Sequence, residues 1–562
     1  MTDVEPRAPA VRAPSARLPV RSLAGRTLAA SLPLAFLGLF LFYPLARVFM
    51  LGLGPLASGG WVRLAETARG IGLAGLLASS SIQALASTAL SLVVGIPAAY
   101  VFARVEFPGR RALSVVLAVP FVLPTVVVAS AFTALGLGRG LGTVLAAHAF
   151  YNVSIVVRIV GTAWANLDPR LGEAARVLGA RRGPALAAVT LRLLAPAIAA
   201  AGLLVFCYCF TSFGVVLLLG GPRVATLETE IWRQAVRLAD LGAAALLALL
   251  QLGATGVLMT LYARLQRRLS AAMRQAPAAG SRRRPGSPGR WAAVAVFGYG
   301  IAALVVLPLA GIAAGSLVTR SGIGFGAWTS LFRNATGSLF WTSPLDAART
   351  SLLFAAAALV VALAVGLPAA YASAGAPRRE GRRAAGSSAL FDLAVLLPLG
   401  TSAVTLGFGF LVALDRPPLD LRASALLVPI AHALVALPLV TRSLSGPIAS
   451  LDPRLREAAS VLGAGPIRSW RAVDLPVLGR AIASAGVFAF TVSIGEFAAS
   501  ALLARPEFAT IPVVIFNRLG TPGELNRAQA LAMSTVLMAV CGLGVAAIER
   551  LRARGPGGGG AF

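Results

Sequence analysis

The 562-residue chain has no lysine at all, only three cysteines, only two histidines, and 21 acidic residues against 50 basic ones. Each scarcity excludes something. Without lysine there can be no G-x-x-x-x-G-K-[ST] phosphate loop, so the chain does not hydrolyse nucleotides by that standard route. Cys207, Cys209 and Cys541 all fall in apolar stretches. They offer neither an even-numbered disulfide framework nor metal-ligand spacing, and read as small buried hydrophobes. His148 and His432 have no acidic, Cys or second His neighbour at ligand spacing, so each is expected to be packed and hydrogen-bonded, and no metal site is assigned. Charged residues are 13% of the chain against 57% hydrophobic. So little charge cannot cover that much apolar surface in soluble domains.

What is present is apolar sequence in long runs, with a mean hydropathy of +0.81. Taking about 20 apolar residues as one bilayer crossing, six spans fall in each half. They lie near 28–52, 79–103, 113–137, 141–165, 194–219 and 239–263, then near 291–317, 350–373, 390–414, 424–447, 478–503 and 527–549. The expected class is an all-α integral membrane protein of about twelve transmembrane helices in two parallel, pseudo-symmetric six-helix halves. A net charge of +29 would suggest nucleic acid in a soluble protein. Here the arginines sit between apolar runs, so no nucleic acid is expected and the positive-inside rule accounts for them.

Arginine placement orients the chain. The N-terminal tail carries Arg7, Arg12, Arg17, Arg21 and Arg26. The connection between the second and third spans carries Arg104, Arg110 and Arg111, and its counterpart Arg378, Arg379, Arg382 and Arg383. With twelve spans, these segments, the central linker and the C-terminus share one face, which places both termini in the cytoplasm. The expected divisions are a cytoplasmic tail (1–26), half 1 (27–265), a cytoplasmic linker (266–290), half 2 (291–551) and a disordered tail (552–562). The first span lacks a small-residue cleavage site and reads as a retained anchor.

The halves repeat one another. LDPRLGEAARVLGA (Leu167–Ala180) recurs as LDPRLREAASVLGA (Leu451–Ala464), and His148/His432, Phe206/Phe490 and Phe213/Phe497 keep the same offset of 284. VGIPAAY (Val94–Tyr100) recurs as VGLPAAY (Val365–Tyr371) at an offset of 271. Each half holds an even number of spans, so both enter the bilayer in the same sense, unlike the inverted repeats of many secondary transporters. The duplicated islands are polar and Arg-bearing, which suits neither lipid nor a helix core. Asp168-Pro169 and Asp452-Pro453 are helix-start signals, and Gly179 and Gly463 suit the helix ends.

These islands resemble the EAA loop of bacterial ABC-importer permeases: E-A-A, three residues, G, nine residues, then I-x-L-P. The second copy supplies Glu457, Ala458, Ala459 and Gly463, followed by VDLP (Val473–Pro476). The first supplies Glu173, Ala174, Ala175 and Gly179, followed by VTLR, with Arg192 where the pattern has proline. The resemblance implies a fused two-half permease that binds no cofactor itself. Asp168, Glu173, Ala174, Ala175 and Gly179, with Asp452, Glu457, Ala458, Ala459 and Gly463, would form two coupling helices, each seated in a cytoplasmic ATPase subunit that uses ATP. A soluble extracytoplasmic binding protein would deliver the solute to a chain held in the lipid bilayer of the bacterial inner membrane.

The fifth spans border the pathway in that family. Phe206–Pro222 and Thr226–Gln251 resemble thiamine-importer permeases. The fused organisation is shared with ferric-iron permeases, and SIGEF around Glu496 is similar to sulfate and molybdate relatives. Thiamine ranks first and ferric iron second. Tyr208, Ser212, Ser493 and Glu496 are the pathway candidates. Glu496 reads as the only acid deep in a span; it could line the path or serve as a structural hydrogen-bond partner, and Ser212 occupies its matching place. Extracytoplasmic segments near 53–78, 220–238, 318–349 and 504–526 are expected to meet the binding protein, with Trp232, Trp328 and Trp341 as docking or interfacial residues. An ion- or proton-coupled secondary transporter is the alternative function, disfavoured by the shortage of intramembrane acids.

Overall fold

A computed structural model describes residues 23–272, 284–319, 322–334, 342–374, 382–415 and 419–553. Arg7, Arg12, Arg17, Arg21, Arg378, Arg379, Trp341 and most of both terminal tails lie outside them, as does the middle of the 266–290 linker. Apart from one short pairing of Val318–Thr319 with Gly322–Ile323, the described elements are helices. Ten are long and apolar enough to cross a membrane. In the first half these are Ala29–Gly52, Leu73–Arg104, Leu141–Ala165, Gly183–Phe210 and Leu241–Leu265. In the second they are Pro288–Leu317, Pro344–Ala374, Leu427–Ala449, Pro466–Gly495 and Glu524–Ile548.

The two remaining expected spans are broken, and at the same point of the repeat. Around 390–414 the chain forms Leu390–Gly400 and Ala403–Ala413, bent by 99° to each other. Around 113–137 it forms Arg110–Val122 and Thr125–Ala134. Leu123, forced out of helical space by the following Pro124, is extended at φ −72°, ψ 139°. Ser402 breaks the other span: it is extended and its hydroxyl accepts from the Val404 N–H at 3.1 Å. Other prolines are absorbed. Pro97 and Pro368 lie inside helices that continue past them.

Small residues bring helices together. A Cβ on Gly95 would lie 2.7 Å from Val156, and one on its repeat mate Gly366 would lie 2.8 Å from Val440. These contacts seat the second span of each half against the fourth, the close approach that small residues permit in membranes. The halves also exchange their first spans. Helices Leu23–Leu37 and Tyr43–Gly52 pack on Pro344–Ala374 and Ala403–Ala413 of the second half, with Phe40 and Phe410 ring centroids 6.2 Å apart. In return Ile301–Leu317 packs on the broken third span of the first half, and the Tyr299 hydroxyl donates to the Pro108 carbonyl at 2.9 Å. The sequence halves are thus interlocked.

Candidate functional site

The two islands fold into matching short helices, Pro169–Val177 and Pro453–Val461. Asp168 accepts from the Arg170 N–H at 2.9 Å, and Asp452 from the Arg454 N–H at 3.0 Å. Each satisfies an amide that the first helical turn leaves unpaired. Both helices end in left-handed glycines, Gly179 at φ +90° and Gly463 at φ +80°. The Ala180 N–H reaches the Ala175 carbonyl and the Ala464 N–H the Ala459 carbonyl, each at 3.0 Å, which is the Schellman arrangement. Glu173, Ala174, Glu457 and Ala458 are exposed, whereas Ala175 and Ala459 are half-buried. Beyond them, Val177 and Leu178 are 87% and 88% exposed, and Val461 and Leu462 are 86% and 87% exposed. Each island thus ends in two adjacent, exposed aliphatic side chains on a well-capped helix.

The equivalent helices are anchored differently. Arg456 grips Asp474 with both arms, Nε to Oδ1 at 2.8 Å and Nη2 to Oδ2 at 2.7 Å. The Tyr371 hydroxyl donates to Asp474 Oδ2 at 2.8 Å and accepts from Trp470 Nε1 at 3.1 Å. The Arg456 guanidinium also lies 5.8 Å from the Tyr371 ring centroid. Burial works against the charge on Arg456, but the hydrogen bonds and charge of Asp474 outweigh it and raise the guanidinium above its ordinary value. In the first half Gly172, Thr190 and Leu186 stand where Arg456, Asp474 and Trp470 stand in the second. There a cleft lined by Tyr100, Arg104, Asp168, Glu173, Leu186 and Thr190 takes the place of the clamp. Arg192, in the position of the expected proline, causes no break, because both re-entry helices run on through a π-turn at Leu186–Leu191 and Trp470–Asp474.

Deeper in the bundle each histidine is buried between two hydroxyls. His148 is 2.8 Å from both Ser87 and Ser212, and His432 is 2.9 Å from both Ser493 and Ser500. Ser212, Ser493 and Glu496 therefore gather around the symmetry-related histidines. The Glu496 carboxylate accepts from the Ala498 and Ala499 N–H groups at 3.0 Å each and from Ser500 at 3.4 Å, and lies 3.6 Å from His432 Nε2. Both carboxylate oxygens are thus engaged by backbone amides at the break that follows the helix. Tyr208, by contrast, is 40% exposed.

The sequence is similar to a family of known proteins. The family model described as "Binding-protein-dependent transport system inner membrane component" matches residues 91–274. "Thiamine transport system permease protein ThiP" of Brucella abortus (strain 2308) is 28% identical over 465 residues, 78% of this chain and 81% of its own. The ThiP of Escherichia coli (strain K12) is 28% identical over 500 residues, 84% of this chain and 88% of its own. A Salmonella typhi protein with the provisional name 2-aminoethylphosphonate transport system permease protein PhnV is 31% identical over 250 residues, 44% of this chain and 90% of its own. The chain belongs to the inner-membrane components of binding-protein-dependent transport systems. This permease is a multi-pass inner-membrane transport subunit, and a relative that covers itself almost fully while matching less than half of it fits a fused pair.

Sequence reasoning missed how the permease folds the segments after its fifth spans. Segment 220–238, expected to be extracytoplasmic, turns back into the bundle as helix Leu227–Trp232. Ser80 accepts from the Leu227 N–H at 2.9 Å, and in the other half Ser351 accepts from the Ile511 N–H at 2.8 Å. Glu228 is fully buried and hydrogen-bonded by the Gln251 amide, so Glu496 is not the only deeply buried acid. Trp232 is 7% exposed, which corrects its assignment as a docking or interfacial residue. The only available signal was the repeat, which pairs Leu227 with Ile511 and Trp232 with Phe516 at the offset of 284.

Proposed function

We propose that this permease is the membrane subunit of an ATP-driven thiamine importer. A soluble binding protein presents thiamine on the outer face, and two separate cytoplasmic ATPase subunits seat the two loop helices. ATP is used by those subunits, and the permease itself holds no cofactor. The single observation that carries this reading is the duplicated docking element: a capped helix ending in a Val-Leu pair that is 86–88% exposed in both copies. Such a pair in water is costly unless a partner covers it. Thiamine is preferred to ferric iron because ThiP permeases match over about four-fifths of their length. The arginine bias puts both termini and both loop helices in the cytoplasm. Asp168, Asp452, Gly179 and Gly463 shape the coupling helices, Glu173, Glu457, Ala174, Ala175, Ala458 and Ala459 lie on them, and Tyr208, Ser212, Ser493 and Glu496 border the path between the halves.

Capture of ATPase subunits on the detergent-solubilised permease tests the reading. Wild type is expected to retain two per chain. Val177→Asp/Leu178→Asp/Val461→Asp/Leu462→Asp is expected to retain none while eluting and melting as wild type. Glu173→Ala/Glu457→Ala is expected to reduce capture. Undiminished capture by the fourfold variant, or thiamine uptake by liposomes holding the permease alone, would overturn it.

A further inference from the structure

Four aromatic rings from both halves close on one another at the pseudo-two-fold axis. Phe213 and Phe497 are repeat mates and stack with centroids 5.6 Å apart and planes inclined by 22°. Trp232 and Phe516 are mates at the same offset and meet edge to face at 6.1 Å and 86°. Phe213 lies 6.4 Å from Trp232, and Phe497 lies 5.3 Å from Phe516, which completes the ring of contacts. A two-fold rotation carries each residue onto its mate, and only residues beside the axis can touch their own images. Both mate pairs therefore straddle the axis, and a path running between the halves is shut at their level.

Aliphatic side chains would seal such a path equally well. Aromatic rings add a negative face that attracts cations. One of these faces already carries one: the exposed Arg237 guanidinium sits 5.2 Å from the Trp232 centroid. We propose that Phe213, Trp232, Phe497 and Phe516 are the gate of the transport path and its recognition surface for an organic cation. This deepens the importer reading and rests on it only for the cargo, since thiamine carries a fixed positive charge on its thiazolium ring. When the halves part, the rings separate and their faces replace part of the water shed by a passing cation. A neutral solute of the same size gains nothing there. Binding through ring faces alone is modest, so the cation leaves as readily as it enters.

Passive flux through the full-length permease, reconstituted in liposomes without ATPase, tests this independently of thiamine. The probes are choline, a quaternary cation, and erythritol, a neutral polyol. Wild type is expected to pass neither. Phe213→Ala/Phe497→Ala is expected to leak choline about tenfold faster than erythritol, a preference equivalent to about 1.4 kcal/mol. Adding Trp232→Leu and Phe516→Leu is expected to bring the two solutes to parity, whereas adding Trp232→Phe keeps the preference. The single Phe497→Ala variant repeats the comparison should the double variant elute as aggregate. A folded alanine variant that leaks neither solute puts the rings off the path, and equal leakage of both makes them a plain seal; either result overturns the proposal. Failure of the thiamine reading would be seen elsewhere, as a complete complex whose ATPase ignores thiamine-loaded binding protein.

Discussion

The two loop helices should differ in local stability, because the Arg456–Asp474 clamp of the second cannot form in the first, where Gly172 and Thr190 stand. In the pair that holds the second helix, the Asp474 side chain is 5% exposed and that of Arg456 is 20% exposed. Removing one member of a fully buried ion pair costs about 3–5 kcal/mol, because the other charge is left uncompensated. Water reaches Arg456, and the Tyr371 hydroxyl would still serve Asp474, so about 2–3 kcal/mol is the reasonable expectation for Arg456→Ala. The loss falls on the contact between the loop helix and the re-entry helix rather than on the bundle. Amide hydrogen exchange over 453–463 should accelerate by roughly 30- to 150-fold, since every 1.4 kcal/mol is a factor of ten. In the wild type, residues 169–179 should already exchange faster than 453–463, and Gly172→Arg/Thr190→Asp should slow them. Equal exchange of the two helices in the wild type, or no change in Arg456→Ala, would refute the idea that the clamp sets their difference.

Further perturbations have separate readouts. Gly95→Leu and Gly366→Leu place a side chain against Val156 and Val440, where even a Cβ would lie within 2.8 Å. Overpacking of about 1–3 kcal/mol should lower the melting temperature and the yield of monodisperse protein. His148→Leu leaves the hydroxyls of Ser87 and Ser212 without their shared partner. Each unsatisfied group costs about 1–3 kcal/mol, so the melting temperature should fall by more than in Ser87→Ala, which loses one contact. Glu496→Ala removes a carboxyl cap from three backbone N–H groups and should destabilise by about 1 kcal/mol, read by thermal unfolding in detergent.

The parts of the fold governed by local rules were legible in the sequence. Ten continuous spans follow from hydropathy and length, and both loop helices follow from Asp-Pro starts and glycine ends. Even the buried histidines were readable, because an isolated imidazole in an apolar run must be packed and hydrogen-bonded. What escaped was set by contacts between distant segments. The exchange of first spans leaves no mark on the spans themselves, since a lipid-facing helix and one packed on the other half are equally apolar. Thr226, Glu228, Glu230 and Gln234 look like a wet loop, yet all four are buried. Part of their polarity is met by partners such as Gln251, 23 positions from Glu228, and Arg233, which holds Glu230 at 2.6 Å, while Glu228 Oε2 is buried without a hydrogen-bond partner. The clamp at Arg456 was visible as one of only two differences between the islands, but its partner Asp474 lies outside the repeated stretch. Glu496 was noticed for its charge, whereas its hydrogen bonds depend on a break in the helix that no hydropathy window resolves.

The measurement that bears most directly on the central claim is uptake of labelled thiamine into liposomes holding this permease with its ATPase subunits, supplied with binding protein outside and ATP inside. The account predicts accumulation that requires all three components and is abolished by Val177→Asp/Leu178→Asp/Val461→Asp/Leu462→Asp, with the variant still correctly folded. Accumulation that proceeds without ATP, or that survives loss of both exposed Val-Leu pairs, would contradict it.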